Sequence, residues 1–232
     1  MSTSSIKKRI KDIFHLTLGP SASFSRTNHM IPETHTATGV NHFKGKLYET
    51  FVLSQLLKKL TNDEGFTFEL RNGTSHLRLR PNPGMINRSY SWIDAFKGGN
   101  KIGEIWTSVE FASLSHLSSG RTNYNPGDYH ELDIGFYMGV PNGHPSCDSV
   151  IIGIECKNTG MKKSILREVL GLRRELSVLT GPVPTMFISR GWTSVPAVFP
   201  SLLMLYCTDS AVSNYADPGA IFGIDFHYQT MK

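Results

Sequence analysis

Residues 129–158 read YHELDIGFYMGVPNGHPSCDSVIIGIECKN. Two runs of alternating character flank a connection that holds Pro141, Gly143 and Pro145. Side chains on a strand alternate between faces, so residues two apart share one. In the second run Val150, Ile152, Ile154 and Cys156 form one face, and Ile151, Gly153, Glu155 and Lys157 the other. Glu155 and Lys157 then project side by side, roughly 6.6 Å apart along the strand. In the first run Leu132, Ile134, Phe136 and Met138 alternate with Asp133, Gly135 and Tyr137. The pattern predicts two paired strands with Asp133 on the face of Glu155 and Lys157.

Two carboxylates and an ammonium on an otherwise apolar sheet are costly unless they are paired or bind something. A surface salt bridge between Glu155 and Lys157 is one solution. A Mg²⁺ ion is another, since it takes oxygen ligands and keeps several waters. Asp133, Glu155 and one backbone carbonyl, that of Cys156, supply protein oxygens for it. A lysine beside such an ion orients a water and favours its deprotonation for phosphodiester attack.

Asp133, a hairpin, and then Glu155-Cys156-Lys157 resemble the core of the PD-(D/E)XK nuclease superfamily, with Leu132 where the family has its proline. The resemblance covers roughly residues 45–189 and includes an unmatched insertion. It implies a restriction-endonuclease-like αβββαβ core, an α/β fold with a central mixed sheet flanked by helices. It implies a metal-dependent endonuclease acting on DNA, of restriction or defence type, using Mg²⁺ with Mn²⁺ as a substitute. It further implies a homodimer where both strands are cut, or a partner subunit that selects the target. In the family the first core helix often carries a metal-site glutamate after G-x-x-x-E, and Gly45 to Glu49 has that spacing. A glutamate favoured by the helix dipole is the alternative for Glu49. A helix follows (D/E)-X-K in the family. On it Lys162, Lys163 and Arg167 are candidates to hold phosphate, or form a solvated face with Arg–Glu pairs.

The remaining chain frames this core. Its 232 residues suit one domain, 41–232, preceded by a basic helix and arm over 1–40. Hydrophobic content of 39% and charged content of 19% indicate a globular chain. A net charge of +5 and a pI of about 9.1 fit a polyanionic partner. Cys147, Cys156 and Cys207 lack metal-ligand spacing and point to free thiols, a reducing compartment and a cytoplasmic protein. No apolar run has the length of a membrane span, no secretory signal is read, and the basic, Ser-rich start reads as a basic amphipathic helix rather than a transit peptide.

Residues 5–16 (SIKKRIKDIFHL) have helical spacing and are expected to dock on the core. Residues 19–40 read as a loop or arm, and 45–60 (GKLYETFVLSQLLKKL) as a helix with a broad apolar face. Residues 66–70 read as the first strand, with Glu69 a lesser acidic candidate, and 76–80 as another. Arg71, Arg78, Arg80 and Arg88 form either a phosphate-contacting surface or an ordinary solvated edge. Residues 82–100 read as a loop insertion around Trp92. Residues 105–112 read as a strand carrying Glu110, a further acidic candidate, and His130 and Glu131 flank the site. After a helix over 162–179, a strand at 183–189 (VPTMFIS) returns parallel to the E-C-K strand. Residues 201–206 (SLLMLY) read as a short helix, and 221–228 as a terminal strand with Asp225 and His227. A catalytically silent nuclease fold that binds DNA or serves assembly is the competing functional reading.

Overall fold

The computed structural model describes residues 3–18, 23–25, 37–72, 76–184, 192–198 and 201–231. In chain order the elements are α1 (Thr3–Leu18), β1 (Ser23–Ser25), α2 (Ala37–Glu64), β2 (Phe66–Arg71), β3 (His76–Arg78), β4 (Trp92–Lys97), β5 (Asn100–Ala112), α3 (Leu114–Ser119), β6 (Tyr129–Met138), β7 (Val150–Lys157), α4 (Lys163–Glu175), β8 (Val178–Pro184), β9 (Trp192–Val198), β10 (Leu202–Cys207), α5 (Ala216–Ala220) and β11 (Ile224–Tyr228). Seven strands form one mixed sheet in the order β11-β10-β7-β6-β5-β4-β2. The run from β2 to β7 is antiparallel, and β7, β10 and β11 are parallel. The α/β architecture with helices on a mixed sheet is as expected.

Each face of the sheet has its own apolar layer. On one, α1 and α2 pack Ile10, Phe14, Phe51, Leu53 and Leu57 against Ile105, Ile134, Phe136, Ile152 and Ile154. On the other, α4 packs Ile165, Val169 and Leu172 with Trp106, Val109, Leu132, Leu203 and Leu205. The basic helix α1 is therefore docked, and α2 crosses the boundary expected at residues 40/41 because it starts at Ala37. No helix of the described residues is long and apolar enough to cross a membrane.

Four readings change. The expected loop over 82–100 contains β4, a full sheet member between β2 and β5. Its short polar-flanked run WIDAFK is anchored by Trp92, which stacks on Trp106 with ring centroids 5.2 Å apart. The strand parallel to β7 is β10, the stretch read as a short helix; Leu205 lies opposite Glu155 and Cys207 opposite Lys157. Its residues from Leu203 to Cys207 are all buried, and a strand covered on both faces has an unbroken apolar run without period. Val183 and Pro184 end β8, which pairs with β9 in a separate two-stranded sheet, while 185–189 lie outside the described residues. The expected strand over 76–80 is only the short β3, which pairs with β1 outside the main sheet.

A fifth change concerns alternation along β5 and β6. Ile134 and Phe136 belong to the α2 layer, but Leu132, two residues earlier, belongs to the α4 layer. On β5, Trp106 and Val109 lie in the same layer although an odd number of residues separates them. The pleat thus reverses in both strands at Ser108 and Asp133, between the pairs Thr107–Ile134 and Val109–Leu132. Ser108 has φ 51°, an uncommon conformation for a residue with a side chain. The simple alternation expected over 132–138 therefore holds only from Ile134 onward.

The tightest backbone approach tests this register. A Cβ on Gly103 would lie 1.9 Å from the Tyr137 carbonyl oxygen, which cannot move without breaking the ladder. Gly103→Ala is expected to lower the unfolding free energy by about 1–3 kcal/mol or more, as overpacking does. Urea unfolding measures this, and a variant as stable as the parent would refute the β5–β6 pairing.

Candidate active site

The cleft forms where the β6–β7 ladder ends. Ile134 pairs with Ile154, so Asp133 and Glu155 are the next residues outward on the two strands. Asp133 Oδ2 accepts the main-chain N–H of Cys156 at 2.7 Å. Glu155 is 5% exposed, and its Oε2 accepts from Lys157 Nζ at 3.1 Å. Lys157 Nζ also donates to Glu168 Oε1 of α4 at 2.7 Å. A cavity of about 390 Å³ is lined by His130, Glu131, Asp133, Glu155, Lys157, Arg167 and Glu168, with Gly171 and Leu172 behind.

Helix α2 closes the other side. Glu49 is buried and accepts from Lys46 Nζ at 2.7 Å; the same ammonium donates to Ser108 Oγ at 2.6 Å, at the pleat reversal. Successive polar residues of α2 thus reach the sheet where its pleat turns over. That reversal also brings Glu131 within electrostatic reach of Lys46 and Glu49.

The acids are held out of their ordinary range. Burial, and then the Asp133 charge, push the Glu49 carboxyl up to about 7, although Lys46 pulls it down. Burial followed by Asp133 raises Glu155 well above the usual carboxylate range, against the opposing pull of Lys157. Asp133 is raised by burial, while the Cys156 N–H, Lys46 and Lys157 oppose the shift. Glu131 is raised by burial and by Asp133. Burial pulls the Lys157 ammonium down, but Glu155 and Glu168 more than offset it, so the group stays protonated at neutral pH. The carboxylates Glu49, Glu131, Asp133, Glu155 and Glu168 outnumber the cations Lys46, Lys157 and Arg167.

Among the described residues no three His, Cys, Asp or Glu side chains are grouped closely enough to hold a metal ion by themselves. Mg²⁺ does not require such a cage, because one or two carboxylates, a phosphate and waters complete its octahedron. Asp133, half-buried, and Glu155, buried, raise each other's electrostatic cost and fit that donor chemistry. The Cys156 thiol is raised well above its usual range by burial and then by Asp133, which keeps it in the neutral thiol form. Cys147, Cys156 and Cys207 are free thiols.

The structure places Asp133, Glu155 and Lys157 in one cavity wall with the other candidates Arg167 and His130; Glu49 lies outside that lining, within electrostatic reach of Asp133. Lys162 and Lys163 are exposed at the start of α4, outside the cavity lining. Arg78 is exposed on β3, away from that lining, and Arg80 is buried, donating to the carbonyls of Gly84 and Met85. Arg71 pairs with Glu69 and Asp94, and Arg88 pairs with Glu104 and lies over the Trp92 and Trp106 rings. The arginine surface expected around 71–88 is thus largely committed to internal partners. Glu110 pairs with His144 at 3.3 Å rather than joining the acids. Lys46, Ser108 and Glu168 escaped the sequence reading. The i, i+3 spacing of Lys46 and Glu49 was the available signal, since it places both on one side of α2.

No family model matches the chain, and no curated protein matches it. Among solved structures, the crystal structure of protein VC1899 from Vibrio cholerae matches 83% of this chain at 13% identity, with a TM-score of 0.33. The chain spans 32% of that protein's length. A likeness of this order carries no argument about fold or activity.

The raised Glu49 carboxyl has a consequence for stability. Its folded value of about 7 exceeds the ordinary 4.5, so between these values the native state holds more protons than the unfolded one. Stability from this group is present below about pH 4.5 and is lost as pH rises through 7. Glu49→Gln protein is expected to lose less stability than the parent between pH 5 and pH 8. Thermal melts in EDTA across that range check this, and parallel curves would remove the assignment.

Proposed function

We propose that the chain is a Mg²⁺-dependent nuclease that hydrolyses phosphodiester bonds of DNA in the cleft between β6, β7 and α4. The observation that carries this reading is the half-buried Asp133 beside the buried Glu155, with a protonated Lys157 bonded to Glu155. Buried carboxylates in excess of their cations cost free energy until a further positive charge joins them. Asp133 and Glu155 would hold the metal ion, with Glu49 and the Cys156 carbonyl as further donors. The ion, when bound, stabilises charge developing on the phosphate and acidifies water.

The chain's own groups do the remainder. Lys157 is an ammonium at neutral pH, so it acts as a hydrogen-bond donor and positive charge, not as a general base. Glu155 on β7 and Glu168 on α4 fix its Nζ, which orients a water or phosphate oxygen at the cleft without reorganisation. Arg167 in the cavity wall, and Lys162 and Lys163 at the exposed start of α4, are the cations placed to receive flanking phosphates. Resemblance to PD-(D/E)XK nucleases at Asp133 and Glu155-x-Lys157 supports DNA as substrate, a restriction or defence role, and a homodimer or a target-selecting partner subunit.

A second reading has its own support. Lys46 already pairs with Glu49, and Lys157 with Glu155 and Glu168. A nuclease-fold module that binds DNA or assembles without cutting would show the same internal pairing.

Plasmid cleavage separates the two. With Mg²⁺ the parent protein is expected to cut DNA, and EDTA to stop it. Lys157→Ala and Asp133→Asn are each expected to slow cutting by about a hundredfold or more, in the range for lost positioned catalytic groups. Undiminished cutting by Lys157→Ala would overturn the site. Absence of cutting by the parent with Mg²⁺ or Mn²⁺ on linear, supercoiled and single-stranded DNA would favour the binding module.

A further inference from the structure

The second half of α2 does something unusual for a helix packed on a sheet. Gln55, Lys58, Lys59, Asn62 and Asp63 recur at three, four, seven and eight residues, which is one side of a helix. Lys58, Lys59, Asn62 and Asp63 are exposed, and Gln55 is half-buried. That polar side forms one wall of a cavity of about 470 Å³ whose other wall is Tyr206 of β10 and Phe226, His227 and Tyr228 of β11, with Gln229 beyond.

Three observations define what this cavity suits. Lys58 and Lys59 have no carboxylate partner among the described residues, and Asp63 is the one acid in the lining. Gln55 Nε2 and His227 Nε2 are shielded from solvent and lack a hydrogen-bond partner among the described residues. Leaving a buried polar group unpaired costs its full desolvation, so such groups are rare without a reason. The walls are also rigid: His227 lies opposite Tyr206 in the ladder and stacks on it at 4.6 Å, and Tyr48 Oη of α2 donates to the Gln229 carbonyl at 2.9 Å.

We propose that this cavity binds a phosphate-bearing anion. Lys58 and Lys59 supply the charge, and Gln55 and His227, after a small side-chain rotation, supply neutral donors to phosphate oxygens. Burial holds His227 below its usual range, with Asp225 opposing the shift and the nearby Lys59 charge adding to it, so at neutral pH it offers one N–H without adding a positive charge. The cavity is separate from the cleft. Gln55 follows Glu49 by six residues, roughly 9 Å along the helix at about 1.5 Å per residue. The proposal stands without the nuclease reading, because the anion's source is either a free phosphate compound or a nucleic-acid backbone.

Calorimetric titration of the full chain in EDTA with inorganic phosphate, ATP and a DNA duplex tests this. At least one of the three probes is expected to bind, and Lys58→Gln/Lys59→Gln to weaken it about tenfold or more. His227→Phe, which keeps a ring against Tyr206, is expected to weaken the same probe by a similar factor. Circular dichroism melts check that both variants fold. Weakening of phosphate and ATP identifies a small ligand; weakening of duplex alone identifies the backbone. Phosphate binding that survives Lys157→Ala places the site here, whereas phosphate binding lost in Lys157→Ala and kept in the lysine pair overturns the proposal. So does the absence of binding by all three probes, or equal binding by parent and both variants.

Discussion

Where the β6–β7 ladder stops, a side chain takes over from the backbone. The Cys156 N–H, which a continuing strand would give to a carbonyl, is given to Asp133 Oδ2 instead. This bond holds the two strands together just as their pleat is disturbed, and it turns a structural necessity into a chemical one. Asp133 cannot be replaced by an apolar residue without orphaning a main-chain donor. The ground beneath is apolar and close-packed: Gly135 lies opposite Gly153, and a Cβ on Gly153 would touch Leu132 and Leu203. The charged groups therefore sit on a firm floor, held at one end of the sheet.

The reversal at Ser108 and Asp133 decides which charges meet. With uninterrupted alternation, α2 would face only the apolar side of β6. Because both strands turn over together, the polar residues at the reversal become common to the two faces. Lys46 and Glu49 reach them from α2, and Lys157 and Glu168 from the α4 side. Each lysine bridges two acceptors, Lys46 with Glu49 and Ser108, Lys157 with Glu155 and Glu168. Buried pairs of this sort give little net stability, since desolvation offsets attraction. Their effect is to hold an acidic cluster in fixed geometry while leaving it short of positive charge.

Legibility in the sequence follows from this same physics. Helices α1, α2 and α4 have apolar residues at helical spacing, and β6 and β7 have a period of two from Ile134 and Ile152 outward, so local pattern sufficed there; Val150, expected on the face of Ile152 and Ile154, lies in the α4 layer beyond a register shift. The order Asp133, hairpin, Glu155, Lys157 named most of the cleft for the same reason. Strand β10 was misread because burial on both faces removes the periodic signal that separates strand from helix. Strand β4 was missed because its place depends on Trp92 stacking on Trp106 and on Arg88 closing over both rings, contacts remote in sequence. Nothing local marks Ser108 as the residue with positive φ, since serine rarely adopts it. Arg71, Arg80 and Arg88 looked like a binding surface because composition does not reveal that Asp94, Glu104 and loop carbonyls already hold them.

Helix α2 explains why a basic N-terminal helix belongs to the core. From Lys46 to Ser54 every residue is buried, as are Leu56 and Leu57. A helix covered all round needs neighbours on every side, and the sheet supplies only one. Helix α1 supplies the other: Ile10 and Phe14 join the same layer, and the Arg9 guanidinium lies 5.2 Å over the Phe51 ring. Lys46 and Glu49 can then sit in a dry environment, where Asp133 shifts Glu49 strongly because little water screens the two. The charge on the exposed side of α1 is compatible with this, because its apolar stripe and the Arg9 guanidinium are what meet α2. Docking of α1 and the perturbed chemistry of the cleft are consequences of the same burial.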